Sequence, residues 1–305
     1  MNSPQLSNDP GQQALSTLIQ RSIANAGGWL GFDRFMALAL YAPGLGYYAN
    51  HLRKFGLTPE SGSDFATAPE MSPHFGRSLA NQVAEALQVT GTDEVWEFGA
   101  GSGALALQLL THLGDAVKRY TIVDLSGSLR ARQQETLHAH ADKVQWVDAL
   151  PEQLSGVVVG NEVLDAMPVQ LLVRTGGVWH ERGVVWRDGA CHWEDRVTDL
   201  RPPVEVPGEH DYLTEIQPQG EAFMASLAER LLASEKGGAA FFQQRNSTNV
   251  LTGQLLQLGK LRIQEQRNVL LLIERRLDVD LTGKFSCVAH DSLSFNATIA
   301  SLFPQ

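Results

Sequence analysis

Between residues 95 and 160, short apolar runs alternate with longer amphipathic segments. Residues 95–98, 120–124, 144–147 and 157–159 read as buried strands, and 129–139 as a helix between the second and third. Strand and helix in alternation predict an α/β fold: a mainly parallel sheet joined by right-handed crossovers. Upstream, Leu15, Leu18, Ile19 and Ile23 share one face of a helix over 14–26, which Gly27-Gly28 ends. Further helices are expected over 32–40 and 73–87, the latter with Ser72 as cap and Pro73 as first residue. Two stretches within 170–196 each flank a glycine turn and predict β-hairpins inserted after the fourth strand. A polar link over 201–208 leads to a helix over 218–233 and a fifth strand over 238–242.

The first strand runs into Glu97-Phe-Gly-Ala-Gly-Ser-Gly-Ala-Leu-Ala106. Gly99, Gly101 and Gly103 let the backbone turn sharply and approach a ligand, and the following apolar run opens a helix. Glu97 with these glycines fits the Glu-x-Gly-x-Gly-x-Gly pattern of S-adenosylmethionine sites, where an acid at the strand end takes up the cofactor's positive amino-acid moiety. The same turn satisfies the looser dinucleotide form, so an NAD or FAD site stays open on the motif alone. Asp124 ends the second strand, 21 positions after Gly103, where a carboxylate can accept both ribose hydroxyl protons. The alternative is an acid that caps the next turn.

The fourth strand exits into Asn161-Glu-Val-Leu-Asp-Ala-Met-Pro168. Ligands of open α/β sheets bind beyond the carboxyl ends of the strands, so Asn161, Glu162 and Asp165 are candidates for the reacting centre. If a helical turn begins at Asn161, the two acids share a face and could hold a guanidinium. The bland reading makes Asn161 an N-cap and Asp165 a surface acid. The loop over 54–69 is too long to be idle, and the cluster Ser61-Gly-Ser-Asp-Phe-Ala-Thr-Ala-Pro-Glu-Met-Ser-Pro-His-Phe-Gly76 suits a segment that folds over a ligand, with Asp64, Phe65 and Thr67 as its candidate contacts; by composition alone it is a turn-rich loop.

Composition narrows the partners. The 305 residues carry a net charge of −10, which disfavours a broad nucleic-acid face. Cys191 and Cys287 form no paired motif, and the histidines lack ligand spacing, so no disulfide framework or metal site is expected. No apolar run approaches membrane-spanning length and the first residues lack a signal pattern, which together predict a cytoplasmic protein without membrane insertion.

Four motifs in order carry a resemblance to a known family: Phe35-Met-Ala-Leu-Ala-Leu-Tyr-Ala-Pro-Gly-Leu-Gly-Tyr-Tyr48, Asp64-Phe-Ala-Thr-Ala-Pro-Glu-Met-Ser-Pro-His-Phe-Gly76, Glu97 to Ala106, and Asn161-Glu-Val-Leu-Asp-Ala166. Over residues 23–242 the chain resembles the MidA-like class I methyltransferases, which include the mitochondrial arginine methyltransferase needed for respiratory complex I assembly. The resemblance implies a Rossmann-like, seven-stranded sheet and S-adenosylmethionine as cofactor. It also implies a protein partner with an accessible arginine, by analogy a complex I subunit, and a place for the Asp64 loop at the cofactor pocket. A non-catalytic assembly factor with the same fold is the other class of reading.

Three regions follow: a helical N-terminal extension with a cofactor-covering loop over 1–90, a methyltransferase core over 91–242 with a β insertion near 170–215, and a tail over 243–305. The tail departs from the family, which would continue with Asp-Tyr-Gly and Gly-Thr segments. It carries 7 basic and 5 acidic residues, +2 against −12 for the rest, and seven glutamines. A frameshifted or rearranged 3′ end explains that break, and a lineage-specific unit is the alternative. A helix over 251–263 and a strand over 269–274 are expected within it, with the fifth strand's edge otherwise bare.

Overall fold

The computed structural model describes residues 10–49, 67–124, 127–203, 205–232, 238–244 and 269–274. Its central sheet contains β2 (Glu94–Phe98), β3 (Arg119–Val123), β4 (Val144–Val147), β5 (Gly156–Asn161), β10 (Gly238–Gln244) and β11 (Val269–Glu274). The spatial order is β11-β10-β5-β2-β3-β4, and every neighbouring pair is parallel. Among the described residues this sheet has six strands, against the seven that the family resemblance implies.

A parallel sheet is covered on both faces, so its strands read as continuous apolar runs. Val95, Val157 and Val159 point to one face, where α4 (Pro73–Thr90) and α5 (Ala104–Leu113) pack through Val83, Leu87, Leu105 and Leu109. Trp96, Phe98 and Val158 point to the other, covered by Met224, Leu227 and Leu231 of α7 (Pro218–Leu232). Ser72 caps α4 as expected, its hydroxyl accepting from the His74 N–H at 3.2 Å. The segment expected as a helix over 129–139 is α6 (Gly127–Thr136) followed by a single 3₁₀ turn at His138–His140.

The insertion forms a second, antiparallel sheet from β6 (Gln170–Thr175), β7 (Val178–Arg187), β8 (Ala190–Val197) and β9 (Tyr212–Ile216). Both expected hairpins are present. Gly176-Gly177 and Asp188-Gly189 each place two successive residues at positive φ, the twist that joins strands through two-residue turns. The N-terminal segment contributes a strand too, the two-residue β1 (Leu30–Gly31) on β7, between α1 (Pro10–Asn25) and α2 (Phe32–Tyr41). Leu15, Ile19 and Ile23 of α1 and Phe35 and Met36 of α2 share one apolar core with Val184 and Cys191 of the inserted sheet. The extension and the insertion are therefore one packed layer.

β11 pairs with β10 from Ala239–Val269 to Gln244–Glu274, so the edge expected to be bare is occupied there. The expected strand coincides with β11; the expected helix over 251–263 lies outside the described residues, as do Cys287, Asp64 and Phe65.

Candidate active site

β2 ends in the glycine turn, and its three glycines adopt φ of 63°, 55° and 86° at residues 99, 101 and 103, a region that disfavours any side chain. A Cβ built on Gly99 would lie 2.9 Å from Val163 Cγ2. The turn therefore meets the exit of β5 directly, and the glycine motif and the Asn161–Pro168 segment converge.

Glu97 is 1% exposed and accepts a hydrogen bond from the Tyr120 hydroxyl at 2.7 Å. Burial pushes its carboxyl up to about 8; the Tyr120 bond opposes the rise, and the neighbouring charge of Asp124 adds to it. Desolvation and Glu97 together raise the Tyr120 hydroxyl far above its ordinary range. A cationic group brought alongside would draw Glu97 into its charged form, which suits the role expected for it.

Asp124, just past the end of β3, is held by a residue the sequence did not single out. Gln133 of α6 is fully buried and donates from Nε2 to Asp124 Oδ2 at 2.8 Å and to the Gly101 carbonyl at 3.1 Å. Its Oε1 accepts from Trp146 Nε1 at 2.9 Å. One amide thus ties the candidate ribose acid to the glycine turn and anchors both to β4.

Thr67 precedes α3 (Ala68–Met71), and its carbonyl accepts the Glu70 N–H at 2.9 Å. The Glu70 carboxylate accepts from the Ser102 hydroxyl, inside the glycine turn. Gln108 of α5 donates to the Pro69 carbonyl at 2.8 Å and accepts from the Gly76 N–H at 2.9 Å. The carboxyl end of the Asp64 loop is accordingly fixed on the glycine turn.

At the β5 exit, Asn161 is the last strand residue and Glu162 takes a left-handed conformation, φ 57°. The helical turn expected to begin at Asn161 instead starts after Val163, with a 3₁₀ segment at Leu164–Ala166. Asn161 is therefore not an N-cap, and its Oδ1 is a buried acceptor with no hydrogen-bond partner. A non-glycine residue held at positive φ is strained, a condition that concentrates at functional sites. Glu162 and Asp165 both act on Tyr48, whose hydroxyl is pushed up to about 12 by burial and then by these two carboxylates. The aromatic turn after α2 thus lies beside the candidate reacting centre, a juxtaposition the sequence alone did not reveal.

The sheet order, the positive-φ glycine turn and the acids at the ends of β2 and β3 are those of a Rossmann-like nucleotide site. The profile of a protein family described as "Putative S-adenosyl-L-methionine-dependent methyltransferase" matches residues 78–243, more than half of the chain. The chain belongs to this S-adenosylmethionine-dependent methyltransferase family, the class I fold expected from the motifs. A Burkholderia thailandensis protein crystallised with S-adenosyl-homocysteine is 45% identical to it, over 74% of this chain and 62% of that one, with a TM-score of 0.65. A native crystal structure of a Burkholderia thailandensis protein gives 44% identity, 74% and 61% coverage and a TM-score of 0.63. The Caenorhabditis elegans "Protein arginine methyltransferase NDUFAF7 homolog, mitochondrial" is 26% identical over 202 residues, 57% of this chain and 47% of that protein. The chain thus spans about half the length of this curated relative and less than two thirds of the crystallised ones.

S-adenosylmethionine is the cofactor class of the family, which sets aside the nicotinamide and flavin alternatives. The local donors suit it: glycines that admit a close backbone, an acid for an ammonium, and an acid for vicinal hydroxyls. Among the described residues, no group of three His, Cys, Asp or Glu could hold a metal ion, and no helix is long and apolar enough to cross a membrane. The cytoplasmic location expected from the sequence gains no support from a relative named as mitochondrial.

Proposed function

We propose that this protein transfers a methyl group from S-adenosylmethionine to a guanidinium nitrogen of arginine on a partner protein. The observation that carries the reading is the convergence, at Gly99 and Val163, of the glycine turn with the segment bearing Asn161, Glu162 and Asp165. When bound, the cofactor supplies an electrophilic methyl on a sulfonium. Glu97 receives its ammonium, Asp124 accepts its ribose hydroxyls, and Gly99, Gly101 and Gly103 admit its close approach, with Thr67, which precedes α3, as a further contact.

The acceptor's chemistry falls to the β5 exit. A guanidinium stays protonated at neutral pH and presents planar donors that match carboxylates. Glu162 and Asp165 hold that charge, while Asn161 Oδ1 accepts an N–H and fixes the nitrogen's orientation. Positioning and exclusion of water supply most of the help: as the nitrogen forms its bond to the methyl, the carbon–sulfur bond breaks to release S-adenosyl-homocysteine and the nitrogen sheds its proton to solvent or a neighbouring carboxylate, so no strong general base is needed. The name of the Caenorhabditis elegans relative supports arginine as acceptor. A complex I subunit, implied by the motif resemblance, is the first partner to assay.

The test is calorimetry with S-adenosyl-homocysteine followed by transfer of labelled methyl to arginine-bearing protein. Binding with arginine-specific transfer supports the proposal. Binding without transfer to any arginine leaves a non-catalytic assembly factor, and absence of binding removes the whole reading.

A further inference from the structure

The face of α2 formed by Phe32, Phe35, Met36, Ala39 and Leu40 is buried, and the layer it shares with the inserted sheet holds the following turn, residues 41–48, in place. Two tyrosines of that turn lie against the β5 exit. The Tyr41 hydroxyl donates to the Ala166 carbonyl at 2.5 Å, yet the residue is 43% exposed, so its polar end is tied down while ring surface stays open. Tyr48 stacks on Tyr41 with centroids 5.7 Å apart and planes at 27°, and its ring meets buried Tyr47 edge-on at 4.9 Å. The elements around Tyr48 bring Glu162 and Asp165 to it as charged neighbours. Beside them lies the unpartnered, buried Asn161 Oδ1.

Resting on the acceptor role given above to residues 161–165, we propose that Tyr41 and Tyr48 form an aromatic wall that makes the acceptor site selective for a planar cation, a guanidinium, over an ammonium. Two carboxylates alone attract either cation. An aromatic face separates them, because the guanidinium is planar, weakly hydrated and stacks on rings, whereas the ammonium is compact and strongly hydrated. The Ala166 bond locks Tyr41 to the segment that carries the acids, so wall and charges keep one spacing. Tyr48, protonated across the neutral range, adds no charge of its own.

The experiment uses the full chain saturated with S-adenosyl-homocysteine and titrates two probes, Nα-acetyl-arginine methylamide and Nα-acetyl-lysine methylamide, by ligand-observed NMR. Wild type is expected to prefer the arginine probe by about fivefold or more. Tyr48→Leu should erase that preference with cofactor-product affinity within about twofold of wild type, and Tyr48→Phe should restore it, because the ring and not the hydroxyl discriminates. A Tyr48→Leu protein that keeps the preference overturns the proposal, as does a Tyr48→Phe protein that loses it or a wild type that binds both probes alike or neither. If Tyr48→Leu fails to fold, seen as lost S-adenosyl-homocysteine binding, Tyr41→Leu decides: a reduced preference supports the wall, and an unchanged one overturns it. Failure of wild type to bind S-adenosyl-homocysteine is a different result, which strikes the methyl-transfer reading itself.

Discussion

Tyr120 donates its hydroxyl hydrogen to Glu97 at 2.7 Å, with both side chains buried between the central sheet and its helices. This pair gives the site a pH signature. The folded value of Glu97, about 8, lies above the ordinary 4.5, so its contribution to stability is complete below about pH 4.5 and is lost as pH rises through 8. Denaturant unfolding of the ligand-free protein should show stability falling across pH 5 to 8, and Glu97→Gln should flatten that fall. Cofactor binding near pH 7 should release a proton, because an ammonium partner charges the carboxyl. Calorimetry in buffers of different ionisation enthalpy measures this; equal proton release in wild type and Glu97→Gln would place the ammonium elsewhere.

Gln133 should be as consequential as any residue of the glycine motif. Gln133→Leu removes its hydrogen bonds to Asp124 Oδ2, the Gly101 carbonyl and the Trp146 N–H, at roughly 0.5–1.5 kcal/mol for each bond lost. A loss of about 3 kcal/mol in unfolding free energy and a tenfold or greater loss of S-adenosyl-homocysteine affinity are expected. Wild-type affinity in a folded Gln133→Leu protein would show that Asp124 needs no such anchor.

Asp124→Ala should weaken S-adenosyl-homocysteine by roughly 2–4 kcal/mol, since bonds to a charged acceptor contribute ~1.5–3 each before overlap is discounted. Direct titration decides it. Unchanged affinity would reduce Asp124 to an acid of the turn.

The glycine turn offers a steric test. Gly99→Ala combines positive φ with a Cβ 2.9 Å from Val163 Cγ2, and cofactor affinity should drop sharply. Val163→Ala added to it removes the clash but not the backbone strain, so partial recovery is expected. Full recovery would mean that φ at Gly99 carries no cost, and none would mean that Val163 is not the obstacle.

Glu162→Gln and Asp165→Asn should bind S-adenosyl-homocysteine normally and lose methyl transfer to arginine, because they lie at the β5 exit whereas the proposed cofactor contacts, Glu97 and Asp124, lie at the ends of β2 and β3. Radiolabel transfer assays read this directly. Full activity in both variants sinks the arginine assignment.

What the sequence disclosed follows from the range of each signal. The strands, the glycine turn and Asp124 are local patterns, set by period and by the length of a strand-turn-helix-strand unit, and they stand where expected. Gln133 was invisible because a glutamine among Arg130, Arg132, Gln134 and Glu135 reads as part of a solvated helix face; only the fold turns it inward. Glu162's left-handed backbone was invisible because non-glycine residues seldom announce positive φ. β1 is two residues long, too short for any period. Tyr41 meets Ala166 across 125 residues of chain, a contact no window of sequence contains.

That last contact divides the proposed site in two. In the proposed site the donor contacts fall mostly within residues 97–133, whereas the proposed acceptor contacts come from two distant stretches, residues 41–48 and 161–166, joined by the Tyr41 hydrogen bond to Ala166. If those roles hold, the two halves can change independently: substitutions in the aromatic turn would redirect the choice of acceptor without disturbing the methyl donor, which makes that turn the natural place to re-engineer specificity.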